Sequence, residues 1–522
     1  MLRKVKTKNG WVEGIPAADP RITAFKGIPF AAPPVGELRW RAPQPVKDWE
    51  GILKCDTFGP LAMQGVPGEG DPEQLYNKEW HVDNKIPMSE DCLYLNVWTP
   101  AKSANEKLPV MFWIFGGGLQ CGYPSEMEFD GERIARRGVI LVSVNYRLNV
   151  FGFFAHPEIG TAPNEPNCNF GFLDQLAGMK WVKENISAFG GDADNVTIFG
   201  QSAGAGSVMA HLTSPMSSGL FHKAIPQSGG GFSPGFNQGY RTLEEAQLLG
   251  KRFTDWLGAA SIQEARELPS KYLFEKAAEF SAIDPEPADT AKNSSFATIR
   301  FKLFWGPCVD NEFLPLQPVE VMKSGKWNNV PMIAGNTINE FVASPLVKNY
   351  EELEAYAKFA FPDTYNEYLS IIKEGTYSFE ECIKNAGYNS FELGNVLMLY
   401  NNSMLGGAPA YFYRFNPEMP GDNNGSFHSS ELWFTFETLA KCWRPFKGKH
   451  YDLARHMCNY WTNFAKTGNP NGNDNDGTPM PQWKPFTVSS PDYMYFGDIA
   501  ELNGQPLGKL MDFLVNANLG SK

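Results

Sequence analysis

The residue best placed to do chemistry is Ser202, the middle of Gly200-Gln201-Ser202-Ala203-Gly204. A short apolar run, Val196 to Phe199, leads into it, and a run of small residues, Ala203 to Ser207, leads out. That is the strand–turn–helix setting of a nucleophile elbow. Only small residues fit at the two ends of so tight a turn, which accounts for the flanking glycines. The helix that begins there aims its free N–H groups at whatever the serine attacks. The same five residues also read as an ordinary glycine-rich turn, so the remaining residues decide between the two.

A serine hydroxyl needs a base to take its proton, and the base needs a partner to fix its tautomer. The chain has seven histidines, at 81, 156, 211, 222, 428, 450 and 456. His211 lies on the helix leaving the elbow and reads as packed there. His222 follows the apolar pair Leu220-Phe221 and reads as structural. His428 sits in a loop, Gly425 to Leu432, after a late strand. That is the place of the base when chain order runs nucleophile, acid, base. His450 and His456 remain alternatives. The acid is expected after a strand between nucleophile and base. The strand Val330 to Ala334 runs into Gly335-Asn336-Thr337-Ile338-Asn339-Glu340, where Glu340 is the carboxylate. A surface glutamate is the competing reading. Gly116-Gly117-Gly118 follows the apolar strand ending at Phe115. Without side chains, its N–H groups can approach a reacting carbonyl, and the N–H of Ala203 adds a third donor to an oxyanion hole.

These groups need a rigid frame. Val110 to Phe115 is a continuous apolar run and Val139 to Val144 is another but for Ser143, the pattern of strands buried on both faces. Residues 172–188 read as a helix. Further strands are expected at Ala224 to Gln227, Ala410 to Phe415 and Tyr493 to Phe496. Alternation of strand and helix implies an α/β fold: a large, mostly parallel central sheet with helices on both faces. Helical insertions are expected over the ligand-binding C-terminal edge of the sheet. They fall near 63–90, 241–300 and 345–400 of one catalytic domain spanning 1–522, and the polar 63–90 loop could serve as a lid.

The 522 residues are 43% hydrophobic, enough for a large core. A net charge of −12 argues against a nucleic-acid partner. The basic N-terminus has no apolar stretch behind it and no apolar run reaches 18 residues, so neither a signal peptide nor a membrane span is expected. Eight cysteines are scattered with no CxxC spacing. Free thiols in a cytoplasmic protein, with no metal or cofactor, are the simplest reading.

Taken together these residues resemble the type-B carboxylesterases, the carboxylesterase/cholinesterase family of α/β-hydrolases, in the form of a bacterial-like, non-secreted member. Phe189-Gly190-Gly191 with Val196, Ile198 and Gly200 to Gly204 is similar to the family's serine signature. Glu90-Asp91-Cys92-Leu93-Tyr94-Leu95-Asn96-Val97 is similar to its second one. Phe25 to Ala31, Asn145 to Leu148, Gln227-Ser228-Gly229 and Asn463 to Pro470 resemble further family blocks, so the likeness covers nearly the whole chain. It implies a catalytic triad of Ser202 as nucleophile, Glu340 as acid and His428 as base. It also implies an oxyanion hole at Gly117, Gly118 and Ala203, and a supporting role for Ser228 beside the acid and base. Ion pairs Arg39–Glu90 and Arg147–Asp174 would be structural.

Departures from the family pattern carry information. The acid loop differs at Thr337 and Asn339. Secreted members pair the cysteine at Cys92 with one near position 63, where this chain has Leu61-Ala62-Met63-Gln64. Many members carry Glu where Gln201 stands, and aromatics of cholinesterases are replaced at about Ala343 and Ser344. Losing a carboxylate and rings weakens attraction for a quaternary ammonium, so a choline ester is not the expected substrate, although Trp80 falls near a possible gorge. The pocket is expected to include Gln201, Leu119 and Trp433. The expected activity is that of a carboxylesterase, a serine hydrolase acting through an acyl-enzyme on small aryl or alkyl esters. A lipase, a carbamate or amide hydrolase, or a non-catalytic adhesion protein on the same fold are the alternatives.

Overall fold

The computed structural model describes residues 1–80, 85–161, 165–232, 239–283, 305–376 and 378–519. His81 and the part of the second insertion from 284 to 300 lie outside the described residues.

A 13-stranded sheet runs through the molecule. Its middle is parallel, in the order Ile140–Val144, Leu108–Ile114, Gly191–Gln201, Lys223–Gln227, Met332–Thr337, Ala410–Phe415 and Met494–Phe496. Antiparallel strands extend it at both ends: Thr23–Pro29 and Tyr94–Thr99 on one side, Ala500–Leu502 on the other. Val110 to Ile114 and Ile140 to Val142 are fully buried, because helices cover both faces and leave no polar side for the strands to alternate toward. One such helix, Phe170–Asn185, starts two residues earlier and ends three earlier than its sequence pattern suggests.

Two buried ion pairs brace this frame. Arg147 Nε and Nη2 donate to Asp174 at 2.8 and 2.7 Å. Arg39 Nε and Nη2 grip Glu90 at 2.7 and 2.6 Å. Both are two-pronged, the geometry that best offsets the desolvation of buried charge.

The second and third insertions are helical in their described parts. They hold Leu243–Leu257, Ile262–Glu267 and Ser270–Ile283, then Tyr350–Ala360, Tyr365–Ile372, Phe379–Asn385 and Ser390–Met404. The last of these belongs to the layer covering the sheet. Its residues from Phe391 to Leu399 are buried, and Asn395 Nδ2 donates to the Gly335 carbonyl of a central strand at 3.1 Å. The first insertion is solvated from Glu69 to Gln74 but anchored after it. It contains a short helix, Leu75–Glu79, and Glu79 is 1% exposed. That carboxylate accepts from Trp433 Nε1 (3.1 Å), Trp443 Nε1 (2.9 Å) and Arg444 Nε (2.7 Å). A buried carboxylate gripped by Arg444 and two indole N–H groups anchors this part of the segment.

Candidate active site

Five neighbouring strands of the parallel region each release one element of a single cluster at their C-terminal ends. The strand Leu108–Ile114 leads to Gly116-Gly117-Gly118, and Gly191–Gln201 leads to Ser202. Lys223–Gln227 leads to Ser228, Met332–Thr337 to Glu340, and Ala410–Phe415 to the loop of His428.

The turn at Ser202 is as sharp as its glycines imply. Ser202 has φ 57° and ψ −124°, a backbone state few side chains tolerate. The turn closes against its neighbour strand so tightly that a Cβ on Gly204 would lie 2.1 Å from the Ile114 carbonyl oxygen. Only glycine permits that approach. The helix Ala203–Thr213 begins at once, with its N-terminus at the serine.

The Ser202 hydroxyl lies 2.8 Å from His428 Nε2. The other ring nitrogen, Nδ1, faces Glu340 Oε2 in a short hydrogen bond. Glu340 is 7% exposed, so the surface-glutamate reading does not hold. Its second oxygen, Oε1, accepts from Ser228 Oγ (2.6 Å), Thr337 Oγ1 (2.9 Å) and the Thr337 N–H (3.3 Å). With Glu340 on Nδ1, the neutral ring keeps its proton there and offers Nε2 as acceptor to the serine O–H. Burial opposes charge on His428, but the charge and hydrogen bond of Glu340, with Glu431 nearby, outweigh it and raise its pKa above the usual histidine value. Two rings fix the imidazole: Phe391 stacks at 5.5 Å and Phe341 lies at 4.9 Å.

Both departures in the acid loop have partners here. Thr337 supplies two of the donors on Glu340. Asn339 joins the acid loop to the base loop: its N–H donates to the Ser426 carbonyl at 3.1 Å and its Oδ1 accepts from the Ser426 N–H at 2.9 Å.

The other described histidines are engaged elsewhere. His211 is buried between Ser217 Oγ (2.8 Å) and Gln175 Oε1 (3.0 Å), and burial lowers its pKa to about 3. His222 Nδ1 accepts from the Val196 N–H. His450 bonds Lys447 and Glu418 of its own surroundings, and His456 meets Asp474 at 3.1 Å.

The glycine loop lies directly over the serine. A Cβ on Gly116 would sit 3.1 Å from Ser202 Cβ. Gly117 and Gly118 have φ of 102° and 65°, a path that turns the backbone back on itself without side chains. A cavity of about 380 Å³ opens above Ser202. Gln201, Leu119, Tyr76, Trp80 and Phe129 contribute to its mainly apolar wall. Trp433 does not: it is fully buried behind the wall, where its indole N–H is taken by Glu79, and its neighbour Leu432 faces the cavity instead.

Sequence reasoning missed two further wall residues, Glu126 and Glu128. Burial pushes the Glu126 pKa up to about 7, against hydrogen bonds from Glu128 and the Tyr123 N–H that favour its charged form, while burial and then the charge of Glu126 raise the Glu128 pKa well above the ordinary carboxylate range. Their signal, two carboxylates within a few residues of the glycine loop, looks in sequence like solvated surface.

The parallel sheet, the elbow serine at its C-terminal edge and the histidine and carboxylate from later strands define an α/β-hydrolase. The carboxylesterase-family profile matches residues 2–507, and the chain belongs to the carboxylesterase family. It is 34% identical to the para-nitrobenzyl esterase of Bacillus subtilis (strain 168), over 89% of this chain and 90% of that one. It is 32% identical to the cocaine esterase of Homo sapiens, over 90% and 83% of the two chains. Among solved structures, a thermophilic pNB esterase superposes with a TM-score of 0.77 at 30% identity, covering 98% of this chain and all of the other. The protein is a carboxylic ester hydrolase. Among the described residues, no helix is long and apolar enough to cross a membrane.

Proposed function

We propose that Ser202 is the nucleophile, His428 the general base and acid, and Glu340 the group that orients and charges-balances His428 in hydrolysis of small aryl or alkyl carboxylic esters through an acyl-enzyme. Ser202 Oγ attacks the ester carbonyl as its proton passes to His428 Nε2. The developing oxyanion is received by the N–H groups of Gly117, Gly118 and Ala203. His428 then protonates the leaving alcohol, and water repeats the sequence on the acyl group. The observation that carries this reading is the unbroken chain of contacts from Glu340 through His428 to Ser202, beneath an apolar cavity. Ser228 and Thr337 act by holding the carboxylate. The apolar wall fits an uncharged aryl or alkyl group, and the names of the para-nitrobenzyl and cocaine esterases point to esters of that kind.

The test is stopped-flow hydrolysis of p-nitrophenyl acetate and butyrate by the wild type and Ser202→Ala. A burst of one nitrophenolate per chain and a loss of about 10⁴–10⁶-fold in kcat on substitution are expected. Equal rates in the two proteins refute the assignment of Ser202. A single-phase time course with full loss in the variant refutes accumulation of the acyl-enzyme.

A further inference from the structure

Away from the serine, the fold brings together two cysteines that are 140 residues apart in the chain. Cys168 lies in the turn before the helix Phe170–Asn185, and Cys308 opens the two-residue strand Cys308–Val309. Their sulfurs are 2.6 Å apart, and both are 1% exposed, in a small apolar pocket with Ala155 and Ala246. Both are thiols in this structure. The surrounding backbone is built to hold them there. Asn169, at φ 56°, clasps Cys308 from both sides: Nδ2 donates to its carbonyl at 2.8 Å and Oδ1 accepts its N–H at 3.1 Å. The same Nδ2 reaches Asp310 Oδ2 at 2.8 Å, fixing the segment on the other side of Cys308. Among the described residues, no other two of the eight thiols are in hydrogen-bond contact.

We propose that Cys168 and Cys308 are a cross-linking site that closes to an intramolecular disulfide in the presence of a low-molecular-weight disulfide. One cysteine loses its proton and its sulfur attacks the small disulfide, forming a mixed disulfide and releasing one small thiol. The other cysteine, deprotonated in turn, attacks the protein sulfur of that mixed disulfide, forming the Cys168–Cys308 bond and releasing the second small thiol. Two protein thiols are oxidised by two electrons, one small disulfide is reduced, and the two protons end on the released thiols. Burial keeps the Cys168 thiol protonated, raising its pKa well above the ordinary value, so exchange is slow in the folded chain and faster during refolding.

The bond reaches the cavity over Ser202. Cys308 follows Gly306-Pro307, and Arg241, its register partner in the neighbouring strand, follows Tyr240. All four of Gly306, Pro307, Tyr240 and Arg241 line that cavity. The cross-link therefore ties one cavity wall to the start of the helix Phe170–Asn185. It also closes a long loop, the case in which a disulfide restricts the unfolded chain most.

The full chain is incubated folded, and separately refolded from urea, across a series of reduced and oxidised glutathione. Thiols are then counted in denaturant, and unreduced peptides are mapped by mass spectrometry. The expected result is a loss of two of the eight thiols, one cross-linked peptide pair joining residues 168 and 308, and a Tm about 3–5 °C above that of the reduced chain. In Cys168→Ser and Cys308→Ser the pair and the Tm gain disappear. Retention of all eight thiols at every ratio, a cross-link joining other cysteines, or the same Tm gain in the serine variants overturns the proposal. The peptide map of the wild type decides the matter even where a variant does not fold.

Discussion

Glu431 is the buried carboxyl whose removal is the most informative about this site. It is fully buried beside Glu340 and His428. Burial first, and then the charge of Glu340, push its pKa from an ordinary 4.5 up to about 8, against the opposing pull of His428, its own backbone N–H and the Gln227 amide. The folded chain therefore holds this proton over a range where the unfolded chain has released it. Stability falls as pH rises wherever the folded state binds more protons. The contribution of Glu431 is complete below pH 4.5 and lost by the time pH reaches about 8. At about 1.4 kcal/mol per unit, the wild type loses about 3 kcal/mol from this group between pH 5 and pH 7.5. Glu431→Gln has nearly the same shape and carries no titrating proton. Urea unfolding of both proteins at the two pH values should show wild-type stability dropping by about 3 kcal/mol more than that of the variant. Parallel pH dependence in the two proteins would show that Glu431 titrates like an exposed glutamate and that the burial reasoning is wrong.

Ser228→Ala removes the 2.6 Å hydrogen bond on Glu340 Oε1. A bond to a charged group is worth about 1.5–3 kcal/mol, so kcat/KM for p-nitrophenyl esters should fall about 10- to 100-fold with KM little changed. Gly204→Ala forces a Cβ to within 2.1 Å of the Ile114 carbonyl oxygen. Thermal unfolding should show a loss of at least about 2 kcal/mol, and an unchanged Tm would contradict the tight closure of the elbow. Glu126 gains charge as pH rises through about 7. The KM for an ester bearing a carboxylate should therefore rise from pH 6 to pH 8 relative to that for a neutral ester. Glu126→Gln should remove that difference.

Much of the frame is legible in the sequence because buried parallel strands leave an unmistakable trace. Val110 to Phe115 and Val139 to Val144 have no polar alternation, and both are central strands. The elbow is equally legible, since Gly200 and Gly204 are required by contacts that only glycine permits. Chain order then points to Glu340 and His428, which the structure brings to Ser202. Three features were hidden for one physical reason: they depend on partners far away in sequence. Glu79 reads as a loop glutamate until Arg444, Trp433 and Trp443 are folded around it. Trp433 reads as pocket lining until Glu79 claims its indole N–H. Cys168 and Cys308 have no spacing that announces a pair, because their meeting is arranged by Asn169 and by the return of the chain 140 residues later.

The five strands that deliver Gly117, Ser202, Ser228, Glu340 and His428 are consecutive across the sheet. Adjacent strands stand about 4.8 Å apart, so the ladder fixes where each loop starts, and the loops of Glu340 and His428, pinned to each other through Asn339 and Ser426, carry acid and base across to Ser202. Wear therefore falls unequally on the molecule: segments that roof the cavity can lengthen, shorten or change residues and shift which ester is admitted, while the distance from serine to histidine stays where the sheet and these two pinned loops set it. On heating, loss of turnover should coincide with melting of the central strands rather than precede it, whereas the ranking of substrates can drift earlier, as the roof loosens over an intact floor.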